Sequence, residues 1–377
     1  MRTSRGNYYP EELIEEVRMS NDIVDVISQY IHIQKKGNNY VGLCPFHNEK
    51  TGSFSVSPSK QMFYCFGCGT GGNVITFLMK YDNMTFPEAV KLLAQRANIT
   101  LPEHEMTQEE KKRADKKTQI MEVNKEAATY FYKLLRSTHG TTAMTYFTKR
   151  ELSLETINQF GLGYADKYSD DLYRYLKKKG YQDDLLRDAG LVSYDEVHGG
   201  RDRFWNRVMF PIMDVNGKVI AFGGRVLGDG LPKYVNSPET EVFDKSRTMY
   251  GLYLARKSKR PNMILCEGYM DVIALHQAGF DNAAASLGTA FTLGHANLIK
   301  RYVKEVYLSY DSDGAGVKAA IRAIPILRQA GISARVINMK PYKDPDEFMK
   351  NLGEVEYEKR MDEAEDGITF IIHQIET

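Results

Sequence analysis

Cysteine and tryptophan are scarce in this chain of 377 residues, which has four cysteines and one tryptophan. Four cysteines are too few for a disulfide scaffold of this length, so the composition excludes a secreted disulfide-rich protein. The first residues contain no apolar core of the signal-peptide type, and no stretch approaches the ~20 consecutive apolar residues of a membrane span. We therefore expect a reducing, cytoplasmic setting and no membrane partner.

A net charge of one sign is also missing, because 50 Lys and Arg oppose 49 Asp and Glu. Nucleic-acid binders are usually basic, so any positive surface must be local. Residues 201–260 hold 12 Lys and Arg against 6 Asp and Glu, whereas residues 340–377 hold 5 against 11. This separation suits an enzyme that holds both phosphates and metal cations, but patterning for solubility explains it equally well.

The phosphate-binding sequence G-x-x-x-x-G-K-[ST] is absent, which argues against a P-loop ATPase or a fused helicase motor. With 42% hydrophobic residues the chain can form hydrophobic cores. At ~100–200 residues per domain, its length suggests two or three domains.

Apolar periodicity predicts a change of architecture along the chain. Up to about residue 100, short strands and a hairpin lie between helices at about 10–19, 73–81 and 86–97. A polar linker running into a helix follows, and Asn216-Gly217 is the dipeptide favoured by a two-residue type I′ hairpin turn. From residue 263, strands alternate with helices, which predicts a largely parallel sheet covered on both faces.

The strongest motif is Cys44-Pro-Phe-His47, followed after seventeen residues by Cys65-Phe-Gly-Cys68. Two such pairs on hairpin turns supply four ligands at tetrahedral geometry, so the motif predicts a closed, structural zinc site. The alternative is free core cysteines beside a surface histidine. This alternative is disfavoured because three of the four cysteines in the chain fall in the pattern.

Aromatic residues surround this motif. We expect Phe54 and Phe66 to pack in the core of the small zinc domain. Phe63 and Tyr64 also lie near the motif. For the exposed face of the hairpin, core packing and stacking on single-stranded nucleic acid are equally good interpretations.

Acidic residues follow three of the predicted strands. Glu267 comes directly after the strand MILC, Asp311 and Asp313 follow EVYLSY, and Asp344 and Asp346 follow ARVINM. Ligands of open parallel sheets bind beyond the carboxyl ends of the strands, where these carboxylates would converge. Oxygen ligands select Mg²⁺ or Mn²⁺, the ions that serve phosphoryl transfer. Surface turns are the alternative, and Cys266 is expected to pack in its strand rather than react.

A basic, loop-rich segment spans residues 223–247. Arg225, Lys233 and Lys245 could hold phosphates, and Tyr234 and Asn236 could stack on or hydrogen-bond to a base. An ordinary solvated loop explains this segment on its own at least as well.

Taken together, the motifs resemble those of bacterial DNA primases of the DnaG type. The resemblance rests on GLCPFHNEKTGSFSVSP and FYCFGCGTGGN, on RVMFPI, AFGGR, PKYVNSPET and FDKS, and on EGYMDV, SLGTA and YDSDGAG. It covers about residues 10–365. It implies an α+β and α/β multidomain protein with an N-terminal zinc ribbon, a mixed α/β basic subdomain and a Toprim-type, mostly parallel sheet. The implied domains are residues 1–100 (zinc-binding), 101–122 (linker), 123–258 (basic subdomain of the RNA polymerase core), 259–345 (Toprim subdomain) and 346–377 (start of a helical subdomain).

The resemblance also implies roles for individual residues. Cys44, His47, Cys65 and Cys68 would bind one structural zinc. Two or more Mg²⁺ or Mn²⁺ ions would be held by Glu267, Asp311, Asp313, Asp344 and Asp346, of which the first three would be catalytic, with Asp271 a weaker candidate. Template or nucleotide contacts would come from Arg150, Arg225, Lys233, Tyr234, Asn236 and Lys245. The family pattern has Gly after the arginine that matches Arg150, whereas here Glu151 follows.

The implied activity is DNA-directed RNA polymerisation, in which a nucleotidyltransferase makes short RNA primers de novo on single-stranded DNA. Its partners would be the DNA template, ribonucleoside triphosphates and, at the replication fork in the nucleoid, the replicative helicase. Family members usually continue beyond this length into a helicase-binding domain, which we expect to be absent here. Two alternatives remain open: a Toprim nuclease or type IA topoisomerase, and a zinc-dependent DNA-binding fragment without catalysis.

Overall fold

The computed structural model describes residues 9–46, 49, 51–81, 84, 86–102, 108–195 and 199–376. The chain divides into two compact units, with the boundary after residue 108. The first unit contains, in chain order, α1 (Glu11–Met19), α2 (Ile23–Ile27), β1 (Ile33–Lys36), β2 (Asn39–Gly42), β3 (Phe54–Ser57), β4 (Met62–Cys65), β5 (Gly71–Gly72), α3 (Val74–Tyr81) and α4 (Phe86–Arg96).

The five strands of the first unit form one antiparallel sheet in the order β1-β2-β3-β4-β5. Alternate residues of β3 and β4 are buried, so Phe54, Val56 and Phe63 face the helices and form the core. Asp22 caps α2, because its side chain accepts hydrogen bonds from two backbone N–H groups. The predicted helices at 73–81 and 86–97 are confirmed by α3 and α4.

The second unit continues with α5 (Gln108–Leu135), α6 (Thr141–Lys149), α7 (Leu154–Gln159), β6 (Gly163–Ala165), α8 (Asp171–Lys178), α9 (Asp183–Asp188), β7 (Val192–Asp195), β8 (Gly199–Asp202), β9 (Arg207–Met213), β10 (Val219–Val226) and β11 (Tyr234–Asn236). Helix α5 begins within the predicted linker. Strands β11-β10-β9-β6 form an antiparallel sheet.

The turn between β9 and β10 differs from the prediction. Register pairs Met213 with Val219, so five residues connect the strands instead of two. Gly217 has φ 81°, but Asn216 does not have the positive φ that a type I′ turn requires of both central residues. The Asp214 side chain accepts hydrogen bonds from the backbone N–H groups of Asn216 and Lys218 and stabilises the longer turn instead.

The rest of the second unit is built on a mostly parallel sheet. Its elements are β12 (Met249–Tyr250), α10 (Leu252–Ala255), β13 (Met263–Cys266), α11 (Tyr269–Gln277), β14 (Ala283–Ser286), α12 (Leu293–Ile299), β15 (Glu305–Leu308), α13 (Gly314–Gln329), β16 (Ser333–Val336), α14 (Pro345–Asp362), β17 (Glu365–Asp366) and α15 (Gly367–Glu376). The strand order is β12-β14-β13-β15-β16-β17.

The four central strands of this sheet are parallel, and the two edge strands are antiparallel to them. All four residues of β13 are buried, as expected for a strand covered on both faces. The prediction of a largely parallel sheet is therefore confirmed. Among the described residues, no helix combines the length and apolar character needed to cross a membrane.

Candidate functional site

Three cysteine thiols lie close together in the first unit. The Sγ atoms of Cys44, Cys65 and Cys68 are all within 4.8 Å of one another, and those of Cys44 and Cys68 are 3.9 Å apart. Tetrahedral zinc with Zn–S bonds of ~2.3 Å places its sulfurs ~3.8 Å apart. The three thiols therefore fit a zinc ion. The fourth predicted ligand, His47, lies outside the described residues.

Backbone N–H groups and one carboxylate organise the loops that bear these thiols. The N–H groups of Phe46 and Cys68 donate to the Sγ atoms of Cys44 and Cys65, both at 3.4 Å. Glu49 Oε1 accepts from the N–H groups of Cys44 and Ser53 at 2.7 and 3.0 Å. Burial opposes ionisation of Cys65, but hydrogen bonds from Ser53 and the Cys68 N–H outweigh it and lower the pKa of Cys65 to about 6. The thiolate that a metal requires is thus favoured at Cys65, whereas burial raises the pKa of the Cys44 thiol to about 12.

The aromatic residues near the thiols divide into two groups. Phe54 and Phe63 are buried and stack at 5.2 Å between ring centroids, so both belong to the core. Phe66 is 76% exposed, so the expectation that it packs in the core is wrong. The Phe66 side chain follows the last residue of β4 and packs edge-on against Tyr64, at 5.1 Å on the solvent side. This pair is an exposed aromatic surface.

The second unit brings three of the predicted acidic residues to one edge of its parallel sheet. Glu267 follows β13, Asp311 lies beyond β15, and Asp344 follows β16 and caps α14. The backbone N–H of Asp311 donates to Glu267 Oε1 at 3.1 Å, which joins two of these strand ends directly. Adjacent parallel strands place their carboxyl ends side by side, and this geometry explains the convergence.

These side chains line a cleft of about 300 Å³. The predicted site residues in its walls are Arg150, Lys233, Tyr234, Asn236, Glu267, Asp271, Asp311, Asp344 and Asp346. Of the predicted site residues in this unit, Asp313, Arg225 and Lys245 do not line it. The Asp313 side chain instead caps α13, where it accepts hydrogen bonds from the N–H groups of Ala315 and Gly316.

In the acidic wall of the cleft, partial desolvation and mutual repulsion raise the pKa values of three carboxyl groups. Desolvation raises the pKa of Glu267, and the neighbouring charge of Asp311 raises it further. Desolvation also raises the pKa of Asp311, against the attraction of Lys343, whose Nζ lies 3.4 Å from Asp311 Oδ2. Asp271 is buried. Desolvation is the largest cause that raises its pKa well above the ordinary value, and the negative charges of Asp344 and Asp311 raise it further. A bound cation would relieve this repulsion.

The opposite wall of the cleft is basic and aromatic. Asn236 bridges it to the sheet, because its Oδ1 accepts from the Tyr269 hydroxyl at 2.6 Å and its Nδ2 donates to the Leu287 carbonyl at 3.0 Å. The ring of Tyr269 stacks on Tyr234, with 6.1 Å between centroids. One N–H and one lone pair of the Asn236 amide remain for a ligand.

Arg225 and Lys245 do not line the cleft. Arg225 is half-buried beside it, because it pairs with Tyr234 across strands β10 and β11. The Arg225 guanidinium sits over the Tyr146 ring, 4.5 Å from its centroid. Lys245 belongs to a one-turn 3₁₀ helix, and its carbonyl is 2.8 Å from the Nε2 of the buried His295. His295 thereby fixes the backbone of the turn that displays Lys245.

Three known protein families match successive parts of the chain. Residues 9–109 match the CHC2 zinc finger family, residues 130–256 match the N-terminal domain of the DNA primase catalytic core, and residues 264–349 match a Toprim-like family. The crystal structure of the Aquifex aeolicus primase, with its zinc-binding and RNA polymerase domains, is 37% identical, with a TM-score of 0.60. The match covers 93% of this chain and 85% of that one. This chain belongs to the DnaG-type DNA primase family.

Longer primases align with the same region. The DNA primase of Clostridium acetobutylicum is 46% identical over 365 residues, and that of Listeria monocytogenes is 43% identical over 353 residues. These alignments cover 97% and 91% of this chain but 61% and 56% of the relatives, so the chain spans little more than half of their length. A structure of a DnaG primase catalytic domain bound to single-stranded DNA is 37% identical with a TM-score of 0.65, covering 70% of this chain and 84% of that one.

Both metals of the primase family fit the residues present. The three thiols are the donor set of a structural zinc in a CHC2 zinc ribbon, and the Toprim fold of primases binds Mg²⁺. In the described part of the chain, no three acidic ligand atoms come as close together as the thiols do. The wider spacing of the carboxylates suits Mg²⁺, which keeps several of its waters.

Sequence reasoning missed three polar residues at the cleft. Lys350 lies one helical turn after Asp346, so i,i+4 spacing on a predicted helix could have found their contact. No sequence signal marks Tyr269 or Lys343, because their partners come from other strand ends.

Proposed function

We propose that this chain synthesises RNA primers on a single-stranded DNA template by joining ribonucleoside triphosphates. The observation that supports this function best is the cleft in which Glu267, Asp311 and Asp344 face Arg150 and Lys233. Carboxylates for divalent cations and cations for phosphates are the two requirements of nucleotidyl transfer. The exposed pair of Tyr64 and Phe66 supports a role of the zinc unit in holding the template.

Each wall of the cleft has its own role in this proposal. Glu267, Asp311 and Asp344 would hold Mg²⁺ or Mn²⁺, with Asp313 as a further ligand from outside the cleft, and the ion would stabilise charge at the attacking and leaving oxygens. Glu267 also accepts the proton of the attacking 3′-hydroxyl, a role that suits a carboxylate whose pKa is raised by desolvation.

The basic wall binds phosphates and bases. Arg150 and Lys233 contact the triphosphate of the incoming nucleotide, and Tyr234, which is 38% exposed, offers a ring for stacking. The free N–H and lone pair of Asn236 hydrogen-bond to the nucleotide. Arg225 and Lys245, which lie outside the cleft, contact template phosphates.

The proposed domain limits follow the family pattern. They are residues 1–100 for the zinc ribbon, 101–122 for the linker, 123–258 for the basic subdomain, 259–345 for the Toprim subdomain and 346–377 for the start of a helical subdomain. His47 completes the zinc site. The setting is the replication fork in the cytoplasm, and the replicative helicase is a partner to which no residue of this chain is assigned.

Primer synthesis tests the function directly. The chain is incubated with single-stranded DNA, four ribonucleotides and Mg²⁺ or Mn²⁺, and short labelled RNA is measured. Asp311→Ala should reduce synthesis by roughly a hundredfold or more, because it removes a ligand at the reacting phosphate. The matched control, Asp184→Ala, removes an exposed carboxylate of α9 and should leave synthesis unchanged.

Other results of these assays would refute the proposed site or support one of the competing functions. RNA synthesis that survives Asp311→Ala refutes the proposed site. DNA binding without RNA synthesis indicates a binding module, and relaxation of supercoiled DNA indicates a topoisomerase.

A further inference from the structure

Asp346 differs from the other acidic residues of the cleft in the partners it has. It is 4% exposed, and both of its carboxylate oxygens contact cations. Arg150 Nη1 lies 2.6 Å from Oδ2, and Lys350 Nζ lies 2.9 Å from Oδ2 and 2.9 Å from Oδ1. Two positive charges thus occupy the positions from which a metal ion would approach this carboxylate.

Three other carboxylates of the cleft, those of Glu267, Asp311 and Asp344, keep a free approach. Asp271 is buried and is not among them. Glu267 is exposed and accepts one backbone N–H, and Asp344 accepts one backbone N–H as the cap of α14. Among the described residues, the Asp311 carboxylate has only the long contact with Lys343, at 3.4 Å. The Lys343 side chain is 60% exposed and can move aside. A divalent cation is repelled by two adjacent fixed positive charges, so these carboxylates are the better ligands.

We propose that Asp346 is a positioning residue for Arg150 and not a metal ligand, an inference that rests on the proposed function. Arg150 ends helix α6, and its side chain reaches across to α14 to meet Asp346. One guanidinium nitrogen is used in this contact, and the other N–H donors remain for a phosphate. Asp346 therefore fixes the position of the Arg150 guanidinium, which is the cation that contacts the triphosphate.

Mn²⁺ affinity, measured by calorimetry on the whole 377-residue chain, tests the first half of this proposal. The double variant Asp346→Asn/Arg150→Met removes one negative and one positive charge, so the net charge of the cleft is conserved. Its Mn²⁺ affinity should stay within roughly twofold of the parent, because no ligand is lost. Asp311→Asn should weaken Mn²⁺ binding roughly tenfold or more. A double variant that loses as much affinity as Asp311→Asn overturns the proposal.

Nucleotide kinetics test the second half. Asp346→Asn and Arg150→Met should each raise the nucleotide KM severalfold with a smaller effect on kcat, because Arg150 binds ground state and transition state alike. The double variant should be no worse than the poorer single variant, since both act through one side chain. Additive effects overturn the positioning role.

Controls separate folding and function from this inference. Asp188→Asn removes the carboxylate of another ion pair, 2.7 Å from Lys116 and outside the cleft, and should change neither Mn²⁺ affinity nor KM. If Asp311→Asn alters neither Mn²⁺ affinity nor primer synthesis, the proposed function itself fails. If Asp311→Asn alters both and the double variant matches it, only the role of Asp346 fails.

Discussion

Glu151 occupies a backbone conformation that favours glycine, and replacing it should stabilise the second unit. Its φ is 62°, in the left-handed region, immediately after helix α6 and Arg150. The Glu151 N–H donates to the Thr148 carbonyl at 2.9 Å, and the Leu152 N–H donates to the Phe147 carbonyl at 3.1 Å. This pair of bonds is the Schellman motif, in which glycine is the usual residue at the left-handed position.

The expected gain follows from two opposing terms. A left-handed conformation costs a residue with a Cβ about 1–2 kcal/mol, and the larger unfolded-state entropy of glycine takes back about 0.5–1 kcal/mol. The Glu151 side chain is exposed, and its carbonyl, which accepts from Gln277 Nε2 at 2.9 Å, is retained in any variant. Taking the middle of each range, Glu151→Gly should therefore raise the free energy of unfolding by about 0.7 kcal/mol.

Urea unfolding followed by tryptophan fluorescence measures this difference. Trp205 is the single tryptophan of the chain and lies in the same unit as Glu151, so its signal reports on that unit. Glu151→Ala is the matched control, because it removes the carboxylate but keeps the Cβ. The urea midpoint should rise for the glycine variant alone, with an unchanged slope. A glycine variant no more stable than the alanine variant refutes the assignment of strain to this position.

Two further predictions concern the zinc site and a buried carboxyl. Chelation of zinc, or the substitution Cys65→Ser, should unfold the first unit, which circular dichroism measures. The Trp205 fluorescence of the second unit should stay unchanged. A first unit that stays folded after chelation would contradict this prediction. Burial raises the pKa of Asp202 to about 7, above its unfolded value of ~3.9. Asp202 therefore stabilises the fold fully below about pH 4, and this contribution is lost as pH rises through 7. Between about pH 4 and pH 7, the Asp202→Asn variant should lose less stability than the parent chain. Equal slopes of the urea midpoint against pH for the two chains would disprove this role of Asp202.

Much of the fold could be predicted because hydrophobic periodicity acts locally. The alternation of strands and helices after residue 263 predicted a parallel sheet, and the spacing of apolar residues predicted the helices that became α3 and α4. The turn at Asn216 could not be predicted from its dipeptide, because the Asp214 side chain stabilises a longer loop. Phe66 was placed wrongly because hydrophobicity alone does not tell a core aromatic from an exposed one that follows the end of a strand.

The site was predictable where the chemistry depends on spacing along the chain. Cys44, Cys65 and Cys68 meet because hairpin turns bring short-range pairs together, and the strand-end rule brought Glu267 and Asp311 to one edge. Contacts between distant segments were not predictable. No sequence pattern pairs Arg150 with a carboxylate 196 residues away, because that contact depends on how two helices pack.

On the proposed function, the cleft of a chain with a net charge of +1 must hold ligands of both signs. In the described structure, Arg150 and Lys350 neutralise Asp346, and Lys343 partly neutralises Asp311. These pairs reduce the repulsion among the acidic side chains, although the remaining repulsion still raises the pKa of Glu267 and of Asp271. A metal ion that binds Asp311 displaces the exposed Lys343, and breaking that exposed ion pair costs little free energy. Binding at Asp346 would break its contact with Arg150, and neither side chain of that pair is exposed. The same balance therefore favours metal binding at the exposed carboxylates and fixed cations at the buried one.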